Sequence, residues 1–346
     1  MATSALSEQK SEKKIDRGSD FTLLSKRIKA AGLLVRRPGY YAARIALVVT
    51  AYVLSWTSFA LVGDSWWNLA VAAVLAFIFG QVALLAHDVA HRQVFRLRST
   101  SARAGRALGN FGIGMGYGWW QDKHSRHHAN PNHADLDPDV RPDILVWSAA
   151  QAEQAKGLPR LLGGSQAYLF FPLLALEGFN LHVSGLRSLT GPALKQRRSE
   201  ALLLGCHFVL YLGALFAVLP AGKAVMFLLV HQCLFGLYLG TVFAPNHKGM
   251  PMFTGQERPD FLRRQVLTSR NVHGGRITDL IMGGLNYQIE HHLFPHMPSP
   301  HLRKAQLIVR AHCEELQVHY VQTGLLDSYR LALKSLHAAG APLRRS

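Results

Sequence analysis

Four long apolar runs dominate the hydropathy pattern of the chain, at residues 45–62, 66–86, 201–219 and 224–244. Each is close to the ~20 residues that cross a hydrocarbon core of roughly 30 Å as a helix. Gly63-Asp64-Ser65 separates the first pair and Pro220-Ala221-Gly222 the second, so the runs read as two hairpins with tight turns. The turns carry almost no Lys or Arg, whereas residues 1–40, 91–200 and 245–346 are rich in both. The positive-inside bias then puts the three basic segments and both termini in the cytoplasm, and both turns outside.

The pattern predicts an all-α integral membrane fold, multi-pass, with four transmembrane helices and a cytoplasmic helical cap. Residues 1–40 read as a basic cytoplasmic arm with an interfacial helix around Phe21–Val35, residues 41–320 as the membrane domain, and residues 321–346 as a basic tail. Residues 161–190 are apolar enough to suggest a fifth span, but they hold Gln166, Pro172, Glu177, Asn180 and His182. They are expected as an amphipathic helix in the interface. The glycine-rich stretch 107–120 is too broken to span and is expected beneath the helices. Trp66 and Trp67 read as interfacial anchors, and the same belt role is expected for Tyr117, Trp119 and Trp120, with the mouth of an apolar tunnel as the alternative.

Composition narrows the picture. Hydrophobic residues make up 49% of the chain and charged ones 17%, which is low for a soluble globule. A formal charge of +17 would ordinarily suggest nucleic acid. No nucleic-acid motif is present, so anionic headgroups or an acidic acyl carrier suit the charge better. Cys206, Cys233 and Cys313 show no paired spacing, so no disulfide framework follows. No cleaved leader is expected from the polar N-terminal residues.

The chemistry lies in three histidine clusters: His87 and His91; His124, His127 and His128; and His291 and His292, with Gln288 in the first place of the third. Spacings of three and four residues put these side chains on one face of a helix. Imidazole is a common ligand for iron, zinc and copper. Seven of the 18 histidines sit in these clusters. Three faces offer more donors than one ion can use, so the arithmetic points to two metals. His247 follows the fourth run as His87 follows the second, and is a further ligand candidate, with a polar helix terminus as its alternative. Asp88, Glu290, Asp137 and its neighbours Asp135 and Asp139 can accept the second ring N–H of a ligand histidine. At each, an ordinary loop carboxylate is the alternative. Asn246 is a candidate beside His247. His207 and His231 fall inside runs and are expected to pack by hydrogen bonding. His133, His273, His296 and His301 lack helical spacing and read as solvated loop residues.

The boxes H-x3-H, H-x2-H-H and Q-x2-H-H over two hairpins resemble the membrane-bound fatty acid desaturases from about residue 45 to 320. The tract Gln288-Ile-Glu-His-His-Leu-Phe-Pro295 resembles the third box of the subgroup with Gln at its first position, which includes front-end desaturases and related bacterial acyl-CoA or acyl-lipid enzymes. The resemblance implies a non-haem diiron centre of two Fe ions on the cytoplasmic face, O2 as oxidant and an external electron donor. By position, it implies the ligands His87, His91, His124, His127, His128, His247, His291 and His292. Gln288 stands where many relatives have histidine, as a weak or water-mediated ligand. The substrate implied is an acyl-CoA or a phospholipid acyl chain. No His-Pro-Gly-Gly haem motif is present in the sequence, so the electrons are expected from a separate ferredoxin-like or cytochrome partner with its reductase.

Removing two hydrogens from an unactivated alkyl chain lies beyond acid–base side chains, so a metal cofactor must supply that chemistry. A diiron hydroxylase would use the same boxes, and spacing does not separate it from a desaturase; the Q-I-E-H-H-L-F-P tract favours the latter. A membrane metal transporter would place ionisable groups inside the spans, whereas these clusters lie outside them. A zinc hydrolase needs three histidines and a water, fewer than are offered here.

Overall fold

The computed structural model describes residues 17–344, apart from 193, 256 and 258; the first part of the basic arm and the end of the tail lie outside the described residues. Helix α1 (Arg17–Ala30) leads into α2 (Pro38–Val62), α3 (Asn68–Ala90) and α4 (Arg98–Arg106), which runs on as a π-helical turn, Ala107–Gly112. There follow α5 (Tyr117–Ala129), two single turns α6 (Ala149–Glu153) and α7 (Leu158–Leu162), then α8 (Gln166–Ala175) and α9 (Glu177–Ser188). The second long pair is α10 (Arg197–Val218) and α11 (Ala221–His247). The remainder comprises α12 (Phe261–Leu267), α13 (Arg276–Ile281), α14 (Gln288–Leu293), α15 (Ser299–Glu315) and α16 (Leu325–Ala339). Two short strands, Asn271–Val272 and Gln322–Thr323, pair in parallel.

Helices α2, α3, α10 and α11 are each long and apolar enough to cross a membrane. They are not equivalent. The apolar window of α3 is 61% buried and that of α11 39%, against 17% and 22% for α2 and α10. The inner pair thus turns more of its side chains to protein than the outer pair, which leaves most of its apolar surface for lipid. Asn68 closes the first hairpin by donating from Nδ2 to Phe59 O and Gly63 O. Lys223, in the first turn of α11, reaches Asp64 at 2.7 Å, so the two hairpin turns sit together at one end of the bundle.

Two expectations need correction, and the N-terminal helix gains a docking face. On helix α1, Leu24 and Ile28, one helical turn apart, are fully buried with residues of α12, α14 and α15. Arg263 completes the docking with an ion pair to Asp20 at 2.9 Å. The stretch 161–190 is not one amphipathic helix, because the segment ending at Ala175 meets α9 at a bend of 70°. At the bend, backbone packs on backbone: a Cβ on Gly236 of α11 would lie 2.5 Å from the Gly178 nitrogen. Tyr117 and Trp120 form no surface belt, since Tyr117 is buried and Trp120 stacks on His124 with ring centroids 4.7 Å apart.

Candidate metal centre

Helix α3 carries His87 in its last turn and His91 immediately beyond its end. Helix α11 ends on His247. These two inner helices pack side by side, and α5 and α14 close over their ends with the second and third clusters. At about 100° per residue, neighbours on a helix point in different directions while residues four apart nearly coincide. His124 and His128 therefore share one direction and His127 takes another; the adjacent His291 and His292 are split in the same way.

The result is two groups of converging ring nitrogens. His87, His91, His124, His128 and His291 form one, and His127, His247 and His292 the other, each with its nearest nitrogens all within 4.8 Å. The stacked rings of His128 and His292, 4.2 Å apart at 15°, form the wall between them. All eight histidines singled out from the sequence are thus brought together. A third group joins His127 to Asp137 and Asp139.

The donor set fits a cation in each of the two histidine groups. In the five-histidine group, Nε2 atoms meet at 2.9 Å between His91 and His124, 3.1 Å between His124 and His128, and 3.2 Å between His128 and His291. A neutral Nε2 either donates once or accepts once. The two inner nitrogens of this row each face two neighbours, so hydrogen bonding alone cannot satisfy all three contacts. His87 adds a ring with both nitrogens buried and without a hydrogen-bond partner among the described residues. Burial, reinforced by neighbouring imidazoles, holds His91, His124, His128, His291 and His292 well below the ordinary imidazole value. Rings kept neutral are the form that binds metal.

The three-histidine group is tied from behind. His127 Nδ1 donates to Asp137 Oδ2 at 2.9 Å, and Asp137 also accepts from the Asn132 amide. Burial opposes charge on His127, but the bond to Asp137 and the charges of Asp137 and Asp139 outweigh it and raise its pKa. His247 Nδ1 donates to Thr268 O at 3.0 Å, and His292 Nδ1 to Gln265 Oε1 at 2.9 Å. Gln288 places its amide 2.9 Å from His247 Nε2, beside Asn246, whose Nδ2 donates to Val242 O, Leu285 O and Gln288 Oε1.

The carboxylates divide. Asp137 is where a ligand-orienting acceptor is expected. Asp88 lies 3.6 Å from His87 Nδ1, outside hydrogen-bond reach, and instead holds Arg44 at 2.6 Å and Ser299 Oγ at 2.9 Å. Glu290 turns away from the rings: it accepts from Asn271 and Tyr320, and burial raises its pKa to about 7. His207 and His231 pack within the bundle as expected, bonded to Phe111 O and Tyr211. His133 and His301 are buried rather than solvated, because His133 folds back under the Asp135 amide and His301 bridges Leu33 O and Arg37. His273 and His296 are exposed, and His296 donates to His91 O at 2.7 Å. Gln265, Asn132 and the Thr268 carbonyl were not legible from spacing, since each reaches the site only through tertiary folding.

Fold and site together define an integral membrane protein with a buried histidine-rich centre able to hold metal. The Fatty acid desaturase family model matches residues 64–324, and the chain belongs to that family. Acyl-lipid (9-3)-desaturase of Physcomitrium patens is 30% identical over 279 residues, which are 78% of this chain and 52% of that protein. Delta(8)-fatty-acid desaturase of Helianthus annuus is 28% identical over 296 residues, 82% of this chain and 64% of the relative. Delta(5) fatty acid desaturase fat-4 of Caenorhabditis elegans is 28% identical over 328 residues, 90% and 70% of the two chains. The chain thus spans between half and two thirds of the first two relatives' length.

Proposed function

We propose that this chain is an O2-dependent fatty acyl desaturase with a non-haem diiron centre, acting on an acyl-CoA or acyl-lipid. The observation that carries the reading is the convergence of eight histidines in two groups at the ends of the inner membrane helices. In this reading His87, His91, His124, His128 and His291 hold one iron, and His127, His247 and His292 hold the other, with Gln288 a weak or water-mediated donor. The two irons, when bound, supply the oxidising power to remove hydrogens from an unactivated alkyl chain, using O2 and electrons from an external donor. Asp137, Thr268 O and Gln265 keep the Nδ1 protons in place, so that the Nε2 lone pairs of the second group stay turned inward. Trp120 and Phe243 flank His87, with centroids 6.0 and 6.2 Å away, and present an apolar wall suited to methylenes. They also exclude water from that side of the ring.

The basic segments favour a cytoplasmic metal centre and cytoplasmic termini, with residues 41–320 as the catalytic membrane domain and a separate ferredoxin-like or cytochrome donor. The names of the relatives, Delta(5) and Delta(8) among them, lead us to place the new double bond in the carboxyl-proximal half of the chain. The histidines sit at span ends rather than mid-bundle, which speaks against a transporter. Expression in a host without polyunsaturated acids, followed by mass spectrometry of its lipids, tests the reading. A new double bond is expected. Hydroxylated acyl chains instead would move the assignment to the hydroxylase, and unchanged lipids with donor and O2 supplied would reject both.

A further inference from the structure

Gln265 belongs to none of the histidine boxes. It lies in α12, a seven-residue helix without a histidine, and is fully buried. Its amide spans two ligand helices: Nε2 donates to His128 O at the end of α5 at 3.0 Å, and Oε1 faces His292 Nδ1 of α14 at 2.9 Å. A carbonyl oxygen only accepts, so the NH2 must face His128 and the oxygen must face His292. That orientation leaves His292 Nδ1 no role but donor. Its Nε2 then carries a bare lone pair, and that atom is buried with no hydrogen-bond partner among the described residues. Fixing one amide therefore fixes the tautomer of a ligand.

The same side chain also sets a spacing. His128 belongs to the five-histidine group and His292 to the three-histidine group, and their rings form the stacked wall between the two. A residue that clasps both helix segments holds that wall. The contrast between the groups sharpens its role. In the three-histidine group His127 and His247 are anchored through Nδ1 by Asp137 and Thr268 O, and Gln265 completes the set. In the five-histidine group the Nδ1 atoms of His87 and His128 are buried without a hydrogen-bond partner among the described residues.

We propose that Gln265 is a positioning residue of the metal centre, which locks His292 in its metal-binding tautomer and fixes the separation of the two histidine groups. The proposal rests on the diiron reading of the site. Loss of the acceptor leaves His292 free to turn or to exchange tautomers, and the three-histidine group loses hold of its metal while the five-histidine group keeps its own.

The test compares the full-length chain, purified in lipid nanodiscs, with its Gln265→Leu and Gln265→Glu variants, reading iron per chain and the rate of iron release to a chelator. Leucine is close in volume but accepts nothing. We expect its iron content to fall from about two per chain towards one, or its release of the second iron to quicken by about 10- to 100-fold, the usual cost of removing a partner behind a ligand histidine. Glutamate keeps an oxygen for His292 Nδ1 and, when protonated, an O–H for His128 O, and is expected to hold both irons. A role in packing alone predicts the reverse order, because leucine suits a buried apolar slot better than a carboxylate does. A leucine variant with two irons and wild-type release, or a glutamate variant worse than leucine, overturns the proposal. Should the leucine variant fail to fold, the glutamate variant decides alone: two retained irons support the proposal, and loss of one overturns it. Wild-type protein that binds no iron would reject the diiron reading itself, whereas wild-type protein with two irons and indifferent variants would reject only the role of Gln265.

Discussion

Asp137 and Glu290 are both carboxylates close to a histidine box, and their fates show what a residue's neighbourhood decides. Asp137 meets His127 at 2.9 Å and holds that ring from behind. Glu290 sits between Ile289 and His291 in sequence, yet helical geometry turns it to Asn271 and Tyr320 on the far side of α14. Proximity along the chain was legible; direction was not. We therefore expect Asp137→Asn to weaken retention of the metal at the three-histidine group by about 10- to 100-fold, read as faster loss of iron to a chelator. Glu290→Gln, which keeps the side chain's shape and a hydrogen-bonding oxygen, should leave iron content at the wild-type value.

The elements were easier to read than their docking. The four spans were visible because a membrane helix must be apolar over most of its length, and each helix end lies within seven residues of the predicted one. The continuation of α3 into its histidines was likewise implied by His87 following the run directly. The docking of helix α1 was not legible because its basic residues suggested a surface, whereas Leu24 and Ile28 supply a narrow apolar stripe that fits the cap. Leu24→Ala should cost about 2–5 kcal/mol of cap stability, as for other buried large-to-small changes, measured by thermal unfolding of the purified protein. The bend at residues 175–177 was not legible at all, since it depends on the approach of Gly178 to Gly236 across two helices. Valine at position 236 would force those backbones apart, and overpacking of this kind costs about 1–3 kcal/mol. A lowered melting temperature in detergent with an unchanged helical signal is the expected outcome.

For the molecule as a whole, the sequence showed that several histidine faces must meet, and the arithmetic of donors pointed to two ions. The partition of those donors needed the fold, because it arises from adjacent residues such as His291 and His292 pointing about 100° apart into different groups. The same arrangement links the centre to overall stability. Nitrogens that face one another without enough protons to go round are held apart more comfortably by a shared cation, so stripping the metal should lower the melting temperature, and restoring iron should recover it.

The most direct test of this account is the iron content of the purified wild-type chain, set beside that of His291→Ala and His292→Ala. We predict about two irons per wild-type chain, with each substitution weakening a different one of the two. A single zinc per chain, or two irons held undiminished by both variants, would contradict it.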